Sequence, residues 1–171
     1  MLAFIRSRGE IALCCALSGV PAAHPGGRTA HKLFKIDVQL ESTQEPQKIQ
    51  CNVSPASQRA TLLRQAKLII WDESVMSHRG NFEAVNEMLQ NIRSNSEEPC
   101  GGVVFIGAGD FRQIPPVIVN GCKDDIIDAS IKSSKLWKSF EQYSLTAPMR
   151  QAGDLAYAKY AIHIQTTQYT I

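Results

Sequence analysis

The chain has 171 residues, 44% of them apolar and 20% charged, with a net charge of +2 at neutral pH. That is the composition of an ordinary globular domain, and it excludes a disordered tail, a collagen-like rod and a disulfide-dense miniprotein. No apolar run reaches the ~18–20 residues that a membrane-spanning helix needs. Charge is unevenly spread, net +5 over residues 1–71 and net −3 over residues 72–171. A basic first part could follow a phosphate backbone, but charge alone favours an ordinary surface fluctuation.

At the start of the chain, Arg6 and Arg8 precede an apolar stretch over residues 11–17, and Val20-Pro21-Ala22-Ala23 follows. The arrangement imitates a secretory signal, but Glu10 stands at the edge of the stretch and the apolar run is short for one. Four short apolar runs, residues 11–17, 67–71, 102–106 and 143–146, read as buried strands. The middle two, Leu68-Ile69-Ile70-Trp71 and Val103-Val104-Phe105-Ile106, are continuous rather than alternating, as parallel strands covered on both faces are. Adjacent Cys14 and Cys15 then point to opposite faces of the first strand.

Helical patterns lie between the strands. Ser54 is placed to cap a helix with Pro55 at its first position, and Ala60, Leu63 and Ala66 keep one face apolar. Phe82, Val85, Leu89 and Ile92 form an apolar stripe after the second strand. Leu136, Trp137 and Phe140 predict a short helix before the fourth. Residues 41–53, 94–100 and 115–128 read as loops. Alternating strands and helices make an α/β layer fold with a mainly parallel sheet.

The five cysteines, Cys14, Cys15, Cys51, Cys100 and Cys122, show no C-x-x-C pair and no metal-ligand spacing with His24, His31, His78 or His163. That argues against structural zinc and for reduced thiols.

Four segments carry chemistry. The strand Leu68-Ile69-Ile70-Trp71 ends abruptly in Asp72-Glu73, and ligands of parallel sheets bind at the carboxyl ends of strands. Such a pair can hold magnesium and polarise an attacking water, or it can be an acidic turn before a helix. Gly107-Ala108-Gly109-Asp110-Phe111-Arg112-Gln113-Ile114-Pro115-Pro116-Val117 also follows a buried strand. Its Gln113 suits sensing a phosphate or orienting water, and its Asp110 and Arg112 suit fixing the loop or touching a neighbouring domain. In Leu145-Thr146-Ala147-Pro148-Met149-Arg150 a strand end delivers a guanidinium, which suits developing phosphoryl charge. In Pro25-Gly26-Gly27-Arg28-Thr29-Ala30-His31-Lys32-Leu33-Phe34, a Gly-Gly turn enters a helix that Thr29 can cap. Arg28 and Lys32 are available to phosphates, and His31 and Phe34 to bases, or else this is a plain helix start whose Leu33 and Phe34 belong to the core.

In order and spacing, Ser18-Gly19-Val20-Pro21-Ala22, Gly26-Gly27-Arg28-Thr29-Ala30-His31, Trp71-Asp72-Glu73, Gly109-Asp110-Phe111-Arg112-Gln113, Leu145-Thr146 and Met149-Arg150 resemble the Pif-type and Helitron-type DNA helicases. The resemblance implies a RecA-like P-loop NTPase sheet and ATP-driven 5′-to-3′ movement on single-stranded DNA. It further implies Mg2+ and ATP as cofactors, and service in DNA repair, recombination and telomere maintenance. A nuclear location follows, with the mitochondrion as second option. By matching position, Asp72 resembles the magnesium-associated carboxylate and Glu73 the water-activating one. Gln113 and Arg150 resemble the groups that meet the terminal phosphate. Gly27, Thr29 and His31 match the segment on single-stranded DNA, with Arg28 and Lys32 beside them.

Residues 1–150 correspond to part of the first motor domain, motifs Ia to IV, and residues 151–171 to a divergent tail. Residues 1–9 resemble the end of the helix that follows the family's phosphate loop. The strand entering that loop lies between the third and fourth strands in the family, so the other strands are expected in the order 11–17, 67–71, 102–106. No G-x-x-x-x-G-K-[ST] occurs in this sequence, and Pro148 stands where the family has an asparagine. Without a phosphate loop the chain by itself is expected to be inactive. Three readings follow: part of an ATP-dependent DNA helicase, a non-catalytic (for example transposon-derived) remnant binding single-stranded DNA or a helicase partner, and an unrelated secreted protein.

Overall fold

The computed structural model describes residues 1–17, 26–37 and 49–145. A short helix, α1 (Leu2–Ser7), leads through a glycine turn into β1 (Ile11–Ala16). β2 (Arg28–Thr29) runs directly into α2 (Ala30–Phe34), and α3 (Gln58–Gln65) runs directly into β3 (Ala66–Asp72). α4 (Arg79–Arg93), β4 (Val104–Gly107) and α5 (Lys123–Ala129) complete the regular elements, with 3-10 turns at Ser74–Met76, Pro99–Gly102, Ile131–Ser133 and Lys135–Ser139.

The four strands form one parallel sheet in the order β2-β1-β3-β4. The expected order of the first three long strands therefore holds. α2, α3 and α4 cover one face. Phe34, Leu63, Phe82, Val85, Leu89 and Ile92 pack there against Cys15, Ile69 and Trp71, all of them buried. α1 lies on the other face, where Arg6 donates two hydrogen bonds, at 3.1 and 2.9 Å, to the Ala12 carbonyl. The apolar stripe read on α4 is thus the main wall of the core. Burying each such side chain stabilises the fold by roughly 1.5–3 kcal/mol.

Arginines tie the helices to the sheet. Arg93, at the last turn of α4, donates to the carbonyls of Gly101, Leu63, Arg64 and Ala66 at 2.8, 3.2, 2.6 and 3.2 Å. Arg64 answers by donating to the Ile92 carbonyl at 3.0 Å. The otherwise unpaired carbonyls at the end of α3 are satisfied in this way, just where the chain must stop being helical and become β3.

Several expectations are corrected. α3 begins at Gln58, not near Ser54. Ser57 is the residue whose side chain accepts from the N-H of Ala60, at 3.2 Å, while residues 54–57 form a turn. Residues 115–128 are not wholly loop, because α5 forms at Lys123, where the N-H of Cys122 donates to Asp125 at 2.8 Å. The third strand starts at Val104 rather than Gly102, since Gly101 and Gly102 take left-handed conformations in the preceding turn. Residues 143–145 are exposed and lie in no strand, and residue 146 is outside the described residues. A short apolar run becomes a strand only against a backbone edge, and here Tyr143 and Leu145 face solvent instead. The helix read around Leu136, Trp137 and Phe140 is the single 3-10 turn Lys135–Ser139.

Candidate nucleotide and DNA site

The register of the sheet brings the sequence motifs into one rank. Across β2, β1 and β3, Arg28 pairs with Cys15 and Cys15 with Trp71, and Thr29 pairs with Ala16 and Ala16 with Asp72. Trp71 pairs in turn with Gly107 of β4. Thr29, Ala16 and Asp72 therefore stand abreast at the carboxyl end of the sheet. The candidate DNA segment lies two inter-strand spacings, about 10 Å of backbone, from the carboxylate pair.

Asp72 ends β3 half-buried, and its Oδ1 accepts the N-H of Glu73 at 3.0 Å. Its Oδ2 accepts no hydrogen bond among the described residues. Glu73 takes a left-handed conformation, φ 51°, and so breaks the strand at the second carboxylate. Trp71, the residue before the pair, is wholly buried and stacks on Phe82, with Phe34 and Phe105 at its sides. A flat aromatic anchor immediately ahead of Asp72 fixes where β3 stops.

The turn after Glu73 is sewn to the loop after β4. The N-H and hydroxyl of Ser74 both donate to the Ala108 carbonyl, at 2.8 and 3.0 Å, and the N-H of Ala108 donates to the Trp71 carbonyl at 2.9 Å. Gly109 is required by contact. A Cβ there would stand 2.8 and 2.9 Å from the two methyls of Val75. Beyond it, Asp110 and Arg112 close on each other. Arg112 donates from Nε and the terminal nitrogen at 2.9 Å each, and from its main chain at 3.0 Å. The side-chain hydrogen bonds from Arg112 hold the Asp110 carboxyl below the usual aspartate value, and the same pair raises Arg112. Of the two roles read for these residues, the structure shows the fixing of the loop.

Gln113 is exposed and lies one turn further, its N-H donating to the Asp110 carbonyl at 2.9 Å. It lines a cleft of ≈ 270 Å³ with Val75, Phe111, Pro116, Ile127 and Lys132. The structure thus brings Asp72 and Glu73 beside the root of the glutamine loop, and sets Gln113 itself at the loop's outer side. Arg150 lies outside the described residues.

On β2 and α2, Gly26 turns the chain with φ 76°, and Thr29 caps α2 by accepting from the N-H of Lys32 at 3.3 Å, as the sequence predicts. Arg28 and Lys32 are exposed, while Gly27, Thr29 and His31 are half-buried. Of the two readings left open for Phe34, the structure selects the core. It is wholly buried, with its ring 5.6 Å from that of Trp71. Arg59 of α3 donates to the carbonyls of Lys32 and Leu33, which holds α2 against the core.

Sequence reasoning missed β2 and the Ser74–Ala108 link. Arg28-Thr29 is polar and two residues long, so no periodicity could reveal it. The acceptor at Ala108 is a main-chain carbonyl, which carries no residue signature.

The donor set suits magnesium. A single hard carboxylate with an oxygen to spare, at a strand end, matches an ion that keeps waters and phosphate oxygens as its other ligands. Among the described residues no cluster of three or more His, Cys, Asp or Glu could enclose a metal by itself.

Known proteins resemble this chain in sequence and in fold. The sequence model of the PIF1-like helicase family matches residues 1–167. The ATP-dependent DNA helicase Pif1 of Psychrobacter sp. is 32% identical over 114 residues, 67% of this chain and 17% of that protein. The ATP-dependent DNA helicase PIF1 of Danio rerio is 37% identical over 108 residues, 60% of this chain and 15% of that protein. The crystal structure of the Pif1 helicase from Candida albicans superposes with a TM-score of 0.70 at 22% identity, over 95% of this chain and 35% of that one. Bacteroides Pif1 bound to single-stranded DNA gives 0.64 at 23%, over 85% and 36%. The structural likeness establishes the RecA-like fold, and the chain spans about a sixth of the length of the sequence relatives it matches. With its α/β sheet, its carboxylate pair at a strand end and a family match over nearly its whole length, this chain belongs to the PIF1-like helicases.

Proposed function

We propose that this chain is part of an ATP-dependent DNA helicase that moves 5′ to 3′ on single-stranded DNA and serves repair, recombination and telomere maintenance. The observation that carries the reading is the rank Thr29–Ala16–Asp72, which sets a candidate DNA segment and a candidate nucleotide site side by side on one rigid sheet. A motor needs that adjacency, because hydrolysis at one site must be felt at the other.

In this reading Asp72 holds Mg2+, and the ion, when bound, neutralises phosphate charge. Glu73 orients and polarises the attacking water. Gln113 and Arg150 meet the terminal phosphate. Gly27, Arg28, Thr29, His31 and Lys32 follow the DNA backbone. Crystal structures of Bacteroides Pif1 bound to single-stranded DNA, and in complex with ADP-AlF3 and single-stranded DNA, support the partners. The sequence holds no G-x-x-x-x-G-K-[ST], so the phosphate cradle of P-loop enzymes has no counterpart in these residues.

Two measurements on the purified 171-residue chain test the reading. ATP hydrolysis is expected below detection; clear turnover abolished by Glu73→Gln would overturn the assignment of phosphate binding to a missing cradle. Single-stranded DNA is expected to bind weakly and to lose affinity steeply with salt. Arg28→Ala and Lys32→Ala should each lower the salt slope by about one or less. Binding indifferent to salt, or unchanged in the double variant, would remove the DNA segment from the proposal.

A further inference from the structure

Ser74 is one of four buried polar residues among those described, 5% exposed, and it spends both of its donors on one acceptor, the Ala108 carbonyl. The two residues are 34 apart in sequence, so the contact is long-range rather than a local turn. The acceptor is the last carbonyl before Gly109, and the residue before it, Gly107, has room for no more than a tight fit. A Cβ at Gly107 would stand 3.1 Å from Ser74 Oγ.

Two donors on one carbonyl fix the direction of that peptide plane, where a single donor would leave it free to rock. Everything beyond it inherits the direction. Residues 110–113 are locked by their own bonds, the Arg112 guanidinium and N-H on Asp110 and the Gln113 N-H on the Asp110 carbonyl. They behave as a rigid turn hinged at Ala108-Gly109. The other end of the link is the left-handed Glu73. Any change in its backbone carries the N-H and hydroxyl of Ser74 with it.

We propose that Ser74 is a positioning residue that sets the glutamine loop against the carboxylate turn, so that a backbone change at Glu73 moves Gln113. The proposal rests on the reading of Asp72, Glu73 and Gln113 as a nucleotide site. Its physical content is the coupling of the two segments, which is measurable without nucleotide.

The experiment is NMR amide exchange on the full 171-residue chain. Ser74→Ala is expected to speed exchange of the Ala108 amide, which the link holds on the Trp71 carbonyl, about tenfold, with Leu89 in the α4 core unchanged. Ser74→Thr, which keeps the hydroxyl, is expected to restore the slow rates. Glu73→Gly is expected to shift the Gln113 amide resonance with Ser74 present and to leave it in place with Ser74→Ala. Should Ser74→Ala not fold, Ser74→Cys, a weaker donor of similar size, is expected to give an intermediate loop rate. Unchanged loop exchange in either variant, loop and core accelerated alike, no rescue by threonine, or an equal Gln113 shift in both backgrounds would overturn the proposal. Failure of single-stranded DNA to bind would remove the DNA segment from the helicase reading and leave these rates as they are.

Discussion

The indole of Trp71 lies on the ring of Phe82, 4.5 Å between centroids and 21° from parallel, so the residue before Asp72 is pressed flat against α4. This stack holds the end of β3 against α4, and both rings belong to the buried core. Phe82→Ala is expected to cost about 3–5 kcal/mol of stability, read by urea unfolding. Phe82→Leu should recover much of that. An alanine variant within about 0.5 kcal/mol of the parent would mean that the stack does not support β3.

Arg93 offers a second, independent test, because it serves four carbonyls at the α3–β3 junction. Hydrogen bonds to a charged group contribute about 1.5–3 kcal/mol each at most, and they are not additive here. Arg93→Met should therefore destabilise by about 2–4 kcal/mol in chemical unfolding. Arg93→Lys should recover only part, since an ammonium cannot span the fork. Full recovery by lysine would show that charge alone, not the fork, holds the junction.

The Gly109–Val75 approach makes a prediction about steric fit. Gly109→Ala is expected to destabilise by about 1–3 kcal/mol through overpacking. Val75→Ala should relieve part of that in the double variant, giving a coupling energy of opposite sign to the single losses. Strictly additive effects in thermal unfolding would show that the crowding lies elsewhere.

The Asp110–Arg112 latch is sensitive to acid. The Arg112 hydrogen bonds hold the folded Asp110 carboxyl below its unfolded value of about 3.9. A lowered folded value means that the latch contributes above the unfolded value and is lost as the pH falls through the folded one. The pair is partly exposed, so its worth is a few tenths of a kcal/mol. The Arg112 amide and Hε resonances should therefore stay constant from neutrality to about pH 4 and move only in stronger acid. Asp110→Asn should abolish that transition, and a transition near pH 6 would point to another group.

Thiol reactivity sorts the cysteines. Burial pushes Cys15 up strongly, Cys51 and Cys100 up to about 12, and Cys14 up with the help of the nearby Asp72 charge. Cys122 is exposed at the start of α5. Ellman's reagent at pH 8 should therefore consume one thiol quickly and the other four only on unfolding. Cys122→Ser should remove the fast phase.

Legibility followed packing. β3 and α4 could be read because burial on two faces demands a continuous apolar run, and burial on one face demands a helical stripe. Ile69 and Leu89 meet both demands. β4 carries the same kind of run as β3, but the expectation that it is covered on both faces is corrected: Val104 is 60% exposed and Phe105 and Ile106 are only half-buried. α5 was hidden because it buries only Ala129 and otherwise reads as charged surface. Tyr143 and Leu145 misled because apolar side chains signal a strand only where a partner edge exists. At the site, Asp72 and Glu73 were visible as an abrupt end to a buried strand. The geometry that joins them to the glutamine loop was not, since it is made of peptide groups.

The pairing of β1 with β3 also sets a clock. Roughly fifty residues separate the two strands, and at the ~5–20 residues per second of protein synthesis that stretch takes about 3 to 10 s to appear. Until then Ile11–Ala16 has only the two residues of β2 beside it. A nascent chain thus carries a bare Ile-Ala-Leu-Cys-Cys-Ala segment for seconds, long enough for holding chaperones to engage it. Slowing the ribosome before residue 72 would lengthen that exposure and lower the yield of folded chain.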